Sequence, residues 1–129
     1  MLGIYFNSLG KKKTSVAKVL IKSGKRKIIV NNKNIYIYFK KGTSVEVINE
    51  ILKEIDYSNL EIIVSVKGGG YMSQAQAVRM AISKCICAYD NKSKNLIRNL
   101  ALSRFDSRVV ERKKIGLVKS RKRKQFSKR

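Results

Sequence analysis

The sequence predicts an α+β fold, with helices on one face of a small sheet, followed by a long extended basic tail. Three observations predict it. Short β-branched runs fill much of the first forty residues and recur once near the middle of the chain. Between and after these runs, apolar residues repeat at helical spacing. Beyond Phe105 both patterns stop and the chain turns almost wholly polar and cationic. Two parts are therefore expected: a globular domain over residues 1–105 and a basic tail over residues 106–129.

Val16 to Ile21 and Lys27 to Val30 read as strands, with Ser23-Gly24-Lys25 between them. That spacing predicts a hairpin with Gly24 supplying the turn. Asn31 to Asn34 is a polar turn, and Ile35 to Phe39 reads as a short strand or sheet edge. Thr43 or Ser44 then caps a helix in which Val47, Ile48, Ile51, Leu52 and Ile55 share a face. Glu46, Glu50 and Glu54 fall on its opposite, solvent-facing side. Leu60 to Val66 is a buried strand that ends at Gly68-Gly69-Gly70. The longest helix runs from Tyr71 or Met72 to about Tyr89, with Ala75, Val78, Ile82, Cys85 or Ile86, and Tyr89 inward. A second runs from Asn91 to Leu102, with Leu96, Ile97 and Leu100 inward. Residues 112–129 have no amphipathic period, so they do not offset their own ordering entropy and are expected to order only on a partner.

Charge points to that partner. The chain has 129 residues, 30 Lys or Arg against 8 Asp or Glu, and a formal net charge of +22. Residues 1–45 carry +11, residues 46–61 carry −4, residues 62–111 carry +5 and residues 112–129 carry +10. A free monomer so charged repels itself, and the expected partner is a polyanion, by default nucleic acid. The acidic stretch reads as the face turned away from it.

Composition excludes several chemistries. With no His, a Ser-His-Asp triad, a Cys-His dyad and a His metal site are impossible. Cys85 and Cys87 are the sole cysteines, which rules out a disulfide framework or a four-cysteine zinc site. Their i, i+2 spacing puts them on different faces of a helix, as buried free thiols. No acid sits in an apolar setting of the kind that tunes a catalytic carboxylate. No cofactor, metal, small-molecule substrate or membrane partner is expected. The longest apolar run is five residues, far short of the ~20 that span a bilayer. Met1 to Phe6 is too short for a secretory signal.

Three motifs remain. Lys67-Gly68-Gly69-Gly70 joins a strand to a helix; it is a tight turn, or a turn that also rests on a nucleic-acid backbone. No Gly-Lys-Ser/Thr follows, so it is not a P-loop. Asp106, Ser107, Arg108, Glu111 and Arg112 form a mixed-charge cluster at the root of the tail. Either Asp106 and Glu111 orient Arg108 and Arg112 for RNA, or the cluster is a solvated set of ion pairs. The terminal stretch from Lys119 to Arg129 holds seven cations and one aromatic, Phe126. It reads as a phosphate-neutralising tail with a stacking group, or as a localisation or solubilising tail.

These motifs stand in the order and spacing of a known family. Gly10-Lys11-Lys12-Lys13-Thr14-Ser15-Val16-Ala17-Lys18-Val19 matches G-R-R-K-[ST]-x-V-A-R-V. The run from Ser23 to Asn31 matches a G-x-G-x-I-x-V-N turn, and Tyr38-Phe39 a Y-F pair. Val66 to Arg79 matches V-x-G-G-G-x-x-G-Q-A-x-A-x-R, and Asp106 to Gly116 matches D-x-R-x-x-E-R-K-K-x-G. Gln125 to Arg129 matches the bacterial-type ending. From Gly10 to Arg129 the chain resembles the family of the ninth protein of the small ribosomal subunit, in its bacterial and organellar form. It departs in having Ser73 and Gln76 where the family usually has glycines, in lacking proline, and in Lys for Arg at several positions.

The resemblance implies a ribosomal S5-domain-2-like fold with a left-handed βαβ crossover. It implies a structural constituent of the small subunit, bound to 16S-type rRNA in the head beside neighbouring head proteins, and not an enzyme. The residues expected on rRNA are Lys11, Lys12, Lys13, Lys18, Lys67, Gly68, Gly69, Gly70, Arg79, Arg108, Arg112, Lys113, Lys114, Lys119, Arg121, Lys122, Arg123 and Lys124. The tail is implied to reach the peptidyl-site tRNA with Lys128 and Arg129. Abundant Lys, Asn and Ile, with no Pro or Trp, suggest a gene rich in A and T, hence a protein made in a plastid. A bacterium or another organelle is the alternative. The competing reading is a free-standing basic nucleic-acid chaperone. A cationic membrane-surface protein fits worse, because the long helix carries just Arg79 and Lys84.

Overall fold

Alternation of side chains sorts the strands into one sheet with a covered and a bare face. In the computed structural model, which describes residues 5–40 and 42–127, the sheet has five strands. They are β1 (Phe6–Lys12), β2 (Ser15–Ser23), β3 (Lys27–Val30), β4 (Lys33–Asn34) and β5 (Leu60–Lys67), in the order β1-β2-β5-β3-β4. β2 pairs antiparallel with β1 and β5, and β3 runs parallel to β5. Ala17, Val19 and Ile21 on β2, with Ile62, Val64 and Val66 on β5, are buried on one face. Lys11, Lys18, Lys22, Ser65 and Lys67 alternate onto the other.

Helix α3 (Tyr71–Tyr89) covers the apolar face against β1, β2 and β5. Helix α2 (Gly42–Glu54) packs beside it, burying Val45, Ile48, Ile51 and Leu52. Each fully buried Ile or Val is worth about 1.5–3 kcal/mol of burial. Helix α4 (Asn91–Asn99) docks on α3 through Ile97, and the last buried residue among those described is Leu102. The α+β class, the helix at 71–89 and the strand at 60–66 are as the sequence indicates.

Several expectations need correction. β1 was not expected at all. Val16–Ile21 and Lys27–Val30 are not hairpin partners, because β5 inserts between them. Gly24 lies beside the start of β5, where its N–H donates to the Asn59 carbonyl at 3.0 Å. Ile35–Phe39 is not a strand but one helical turn, α1 (Ile35–Tyr38), capped by the Asn34 side chain. Its one buried residue, Ile35, and the buried Phe39 that follows at its C-cap stand four apart, while Tyr36 and Ile37 are exposed.

Helix α2 starts at Gly42, so Thr43 and Ser44 lie inside its first turn rather than at its cap. Helix α4 stops at Asn99, and Leu96 and Leu100 are exposed. It closes on Ala101 at φ +54°, with Ala101 N–H on the Arg98 carbonyl and Leu102 N–H on the Ile97 carbonyl. That is a Schellman closure with Ala where Gly is usual. Tyr89 is half exposed and meets Phe6 edge-on at 5.6 Å rather than joining the core.

Beyond Asn99 the described residues form no helix or strand. The chain folds back near Gly116 (φ +81°), bringing the Arg121 guanidinium onto Glu111 at 2.6 and 2.9 Å.

Candidate nucleic-acid interface

The cationic residues of β1 and β5 meet at one end of the sheet because two turns abut there. β1 and β2 are joined through Lys13 and Thr14, with Lys13 at φ +52°. The turn after β5 presses on this hairpin. Gly68 and Gly69 have φ +79° and +62°, and a Cβ on either would collide with the Thr14 carbonyl or the Ser15 hydroxyl. Both positions therefore require glycine, for conformation and for space. The Ser15 hydroxyl and the Gln74 amide each donate to the Gly68 carbonyl at 2.9 Å. Gln74 in turn accepts from the Tyr38 hydroxyl at 2.8 Å. This network holds Lys12 and Lys13 beside the N-terminus of α3, where no side chain caps the helix. Exposed backbone N–H groups and a positive helix end favour an anion at that place.

The root of the tail returns to the same end. Asp106 accepts from Lys12 Nζ at 2.7 Å and from Arg108 at both Nε, 3.0 Å, and Nη2, 2.7 Å. Its Oδ1 also accepts from the Arg108 backbone N–H at 3.0 Å. Arg108 first, then Lys12, hold the Asp106 carboxyl far below the usual carboxylate range, and Asp106 in return raises the Arg108 pKa. The cause is hydrogen bonding to the charged form, not burial. Two cavities of about 570 Å³ flank this bridge. Arg79, Met80, Leu102, Arg104 and Phe105 line the first, and Lys13, Met72 and Val110 line the second.

The expected rRNA residues thus separate into groups. Lys12, Lys13, Lys67, Gly68, Gly69, Gly70 and Arg108 converge at the sheet end. Lys11 adjoins them but alternates, with Lys18 and Lys67, onto the bare face. Arg79 lines the first cavity, yet its Nη1 donates to Glu50 at 2.6 Å. Arg112, Lys113 and Lys114 are exposed beyond the root, and Lys119, Arg121, Lys122, Arg123 and Lys124 lie further out. Lys128 and Arg129 lie outside the described residues. Glu111 holds Arg121 rather than Arg112.

Sequence reasoning missed Arg104, Gln74 and Ser15. Gln74 was detectable as a polar residue on the apolar stripe of α3. Ser15 gave no local signal, because its partner Gly68 is distant in sequence, and Arg104 gave none, because it meets Lys11, Lys12 and Arg79 around the first cavity only in the fold.

Burial pushes both thiols, Cys85 and Cys87, up from their usual range, so neither is a ready nucleophile or metal ligand. Among the described residues no group of three or more Asp, Glu or Cys is placed to hold a metal ion, and no helix is long and apolar enough to cross a membrane. A profile of the family described as ribosomal protein S9/S16 matches residues 10–129.

Proposed function

The chain belongs to the ribosomal protein S9/S16 family, a structural, non-enzymatic constituent of the small ribosomal subunit that binds rRNA, and from that premise we propose how its surface divides the task. The sheet end and the tail root form the docking surface for rRNA phosphates in the head of the subunit. Lys11, Lys12, Lys13, Lys67 and Arg108 neutralise phosphates there, and the backbone of Gly68 to Gly70 lets a strand of RNA approach closely. Lys18 extends this surface onto the bare face of the sheet. The observation that carries the reading is the convergence of the hairpin, the glycine turn and the tail root at one cationic end.

The tail, residues 106–129, is a separate functional unit that threads through rRNA. Arg112, Lys113, Lys114, Lys119 and Arg121 to Lys124 hold phosphates along its path. Val110, Ile115 and Phe126 support this, since each is nearly or fully exposed and gains nothing from water. Lys128 and Arg129 reach the peptidyl-site tRNA. The strand order and the parallel β3–α2–β5 unit support the S5-domain-2-like reading with its left-handed crossover. The acidic face of α2 meets a neighbouring head protein or solvent. Composition supports synthesis in a plastid.

Deletion of Lys128 and Arg129 tests the tRNA assignment. Filter binding of tRNA to purified small subunits carrying the truncated chain should show affinity about tenfold weaker, with subunit assembly intact. The gap should narrow as salt rises. Unchanged affinity across a range of salt removes tRNA from the reading and leaves rRNA binding in place.

A further inference from the structure

From Asp106 to Phe126, the described chain makes one hydrogen bond or ion pair to the body of the domain, the contact of Asp106 with Lys12. Every other polar contact of that stretch lies within it, apart from the Gln125 amide, which donates to the Ser127 carbonyl further along the tail. Asp106 spans 94 residues to reach Lys12, and the same carboxylate grips Arg108 through two guanidinium nitrogens. An ammonium has three donors and a guanidinium five, so both cations keep N–H groups that Asp106 does not use. Those groups stand on the partition between the two cavities, where Lys12, Asp106 and Arg108 line both sides.

We propose that Asp106 is a positioning residue for rRNA binding. It fixes Lys12 and Arg108 side by side as a two-cation clamp for an RNA phosphate, and through the same bond sets the direction in which the tail leaves the domain. The clamp rests on the rRNA-binding role of the chain, whereas the tether does not.

Coulomb attraction alone argues the opposite sign. Asp106→Asn removes a carboxylate from the docking surface and raises the net charge from +22 to +23, which by itself strengthens attraction to a polyanion. A neutral amide, however, does not hold two cations together. Lys12 and Arg108 regain rotamer freedom, and binding must order them again.

The experiment titrates the full chain onto transcribed small-subunit rRNA over a range of salt. It compares the parent chain with Asp106→Asn, Asp106→Ala, Asp106→Glu and Lys12→Gln. We expect the Asn and Ala variants to bind about threefold to tenfold more weakly. The slope of log affinity against log salt should be shallower by about one, and the Glu variant should recover most of the loss. Equal or tighter binding by the Asn and Ala variants overturns the clamp.

A second arm omits RNA. Trypsin should cut after Arg108 several-fold faster in Asp106→Ala and in Lys12→Gln than in the parent chain, while thermal unfolding of the body is unchanged. Unchanged cutting overturns the tether. Should the parent chain itself fail to bind rRNA, the rRNA reading fails, and the RNA-free arm still decides the tether.

Discussion

At Gly10 the edge strand β1 runs so close to α3 that a Cβ would overlap the Ala77 carbonyl and the Ala81 backbone nitrogen. Both obstacles are main chain, so no side chain can rotate away. Gly10→Ala should therefore cost about 1–3 kcal/mol or more, read as a fall in the urea midpoint with the slope unchanged. Ala101 makes the reverse demand. It holds a left-handed conformation at the end of α4 that costs an alanine about 1–2 kcal/mol and a glycine little. Ala101→Gly should raise the melting temperature by a few degrees, or at least not lower it; a clear fall would show that Ala101 packs in a way its φ does not reveal. The same pair shows what a string of letters conveys at this scale. Gly10 was legible as part of a motif, but its reason, the approach of a helix sixty-seven residues later, was not. The end of α4 was misplaced because alanine hides the glycine signal.

Secondary elements were legible where spacing within the element decides their structure. Helix α3 and strand β5 follow their apolar periods, and α2 does so apart from its first turn. β1 was illegible because Ser8, Gly10 and Lys12 occupy its inward face, so β2 and α3 make it a strand, not its own composition. Ile35 to Phe39 suits either period, and the burial of Ile35 and Phe39 decides for a turn of helix. The wrong pairing of β2 with β3 has the same origin, since the hairpin signal is local and the insertion of β5 is not.

In the candidate site the kinds of residue were legible, whereas their convergence was not, because Lys12 and Asp106 meet only in the fold. Helix α2 illustrates a further refinement. Glu46, Glu50 and Glu54 are all exposed, but Glu50 alone pairs with Arg79. Reversing Glu46 and Glu54 to Lys should leave rRNA affinity within about twofold, as for ordinary surface charges. Glu50→Lys should change it more, by freeing and repelling Arg79 beside the first cavity. Equal effects at all three positions in a binding titration would show that α2 itself faces RNA.

For the molecule as a whole, Leu102 is the last buried apolar side chain among the described residues, and those of the tail add none. A chain ending at Arg112 should therefore unfold within a few degrees of the full-length protein by calorimetry. It should lose much of its rRNA affinity and salt dependence, because most of the +10 carried by residues 112–129 goes with the tail. A large drop in melting temperature would show that the tail braces the body. The order β1-β2-β5-β3-β4 also matters before the molecule is finished. A ribosome making this chain extrudes β2 and β3 long before β5, the strand that joins them, and before α3 covers their apolar face. For that interval the nascent chain shows two unpaired strand edges and a row of bare isoleucines and valines, the usual template for aggregation. The +11 carried by residues 1–45 surrounds those edges with like charge. The lysines proposed to meet phosphate would, before that, repel unfinished copies of the protein from one another.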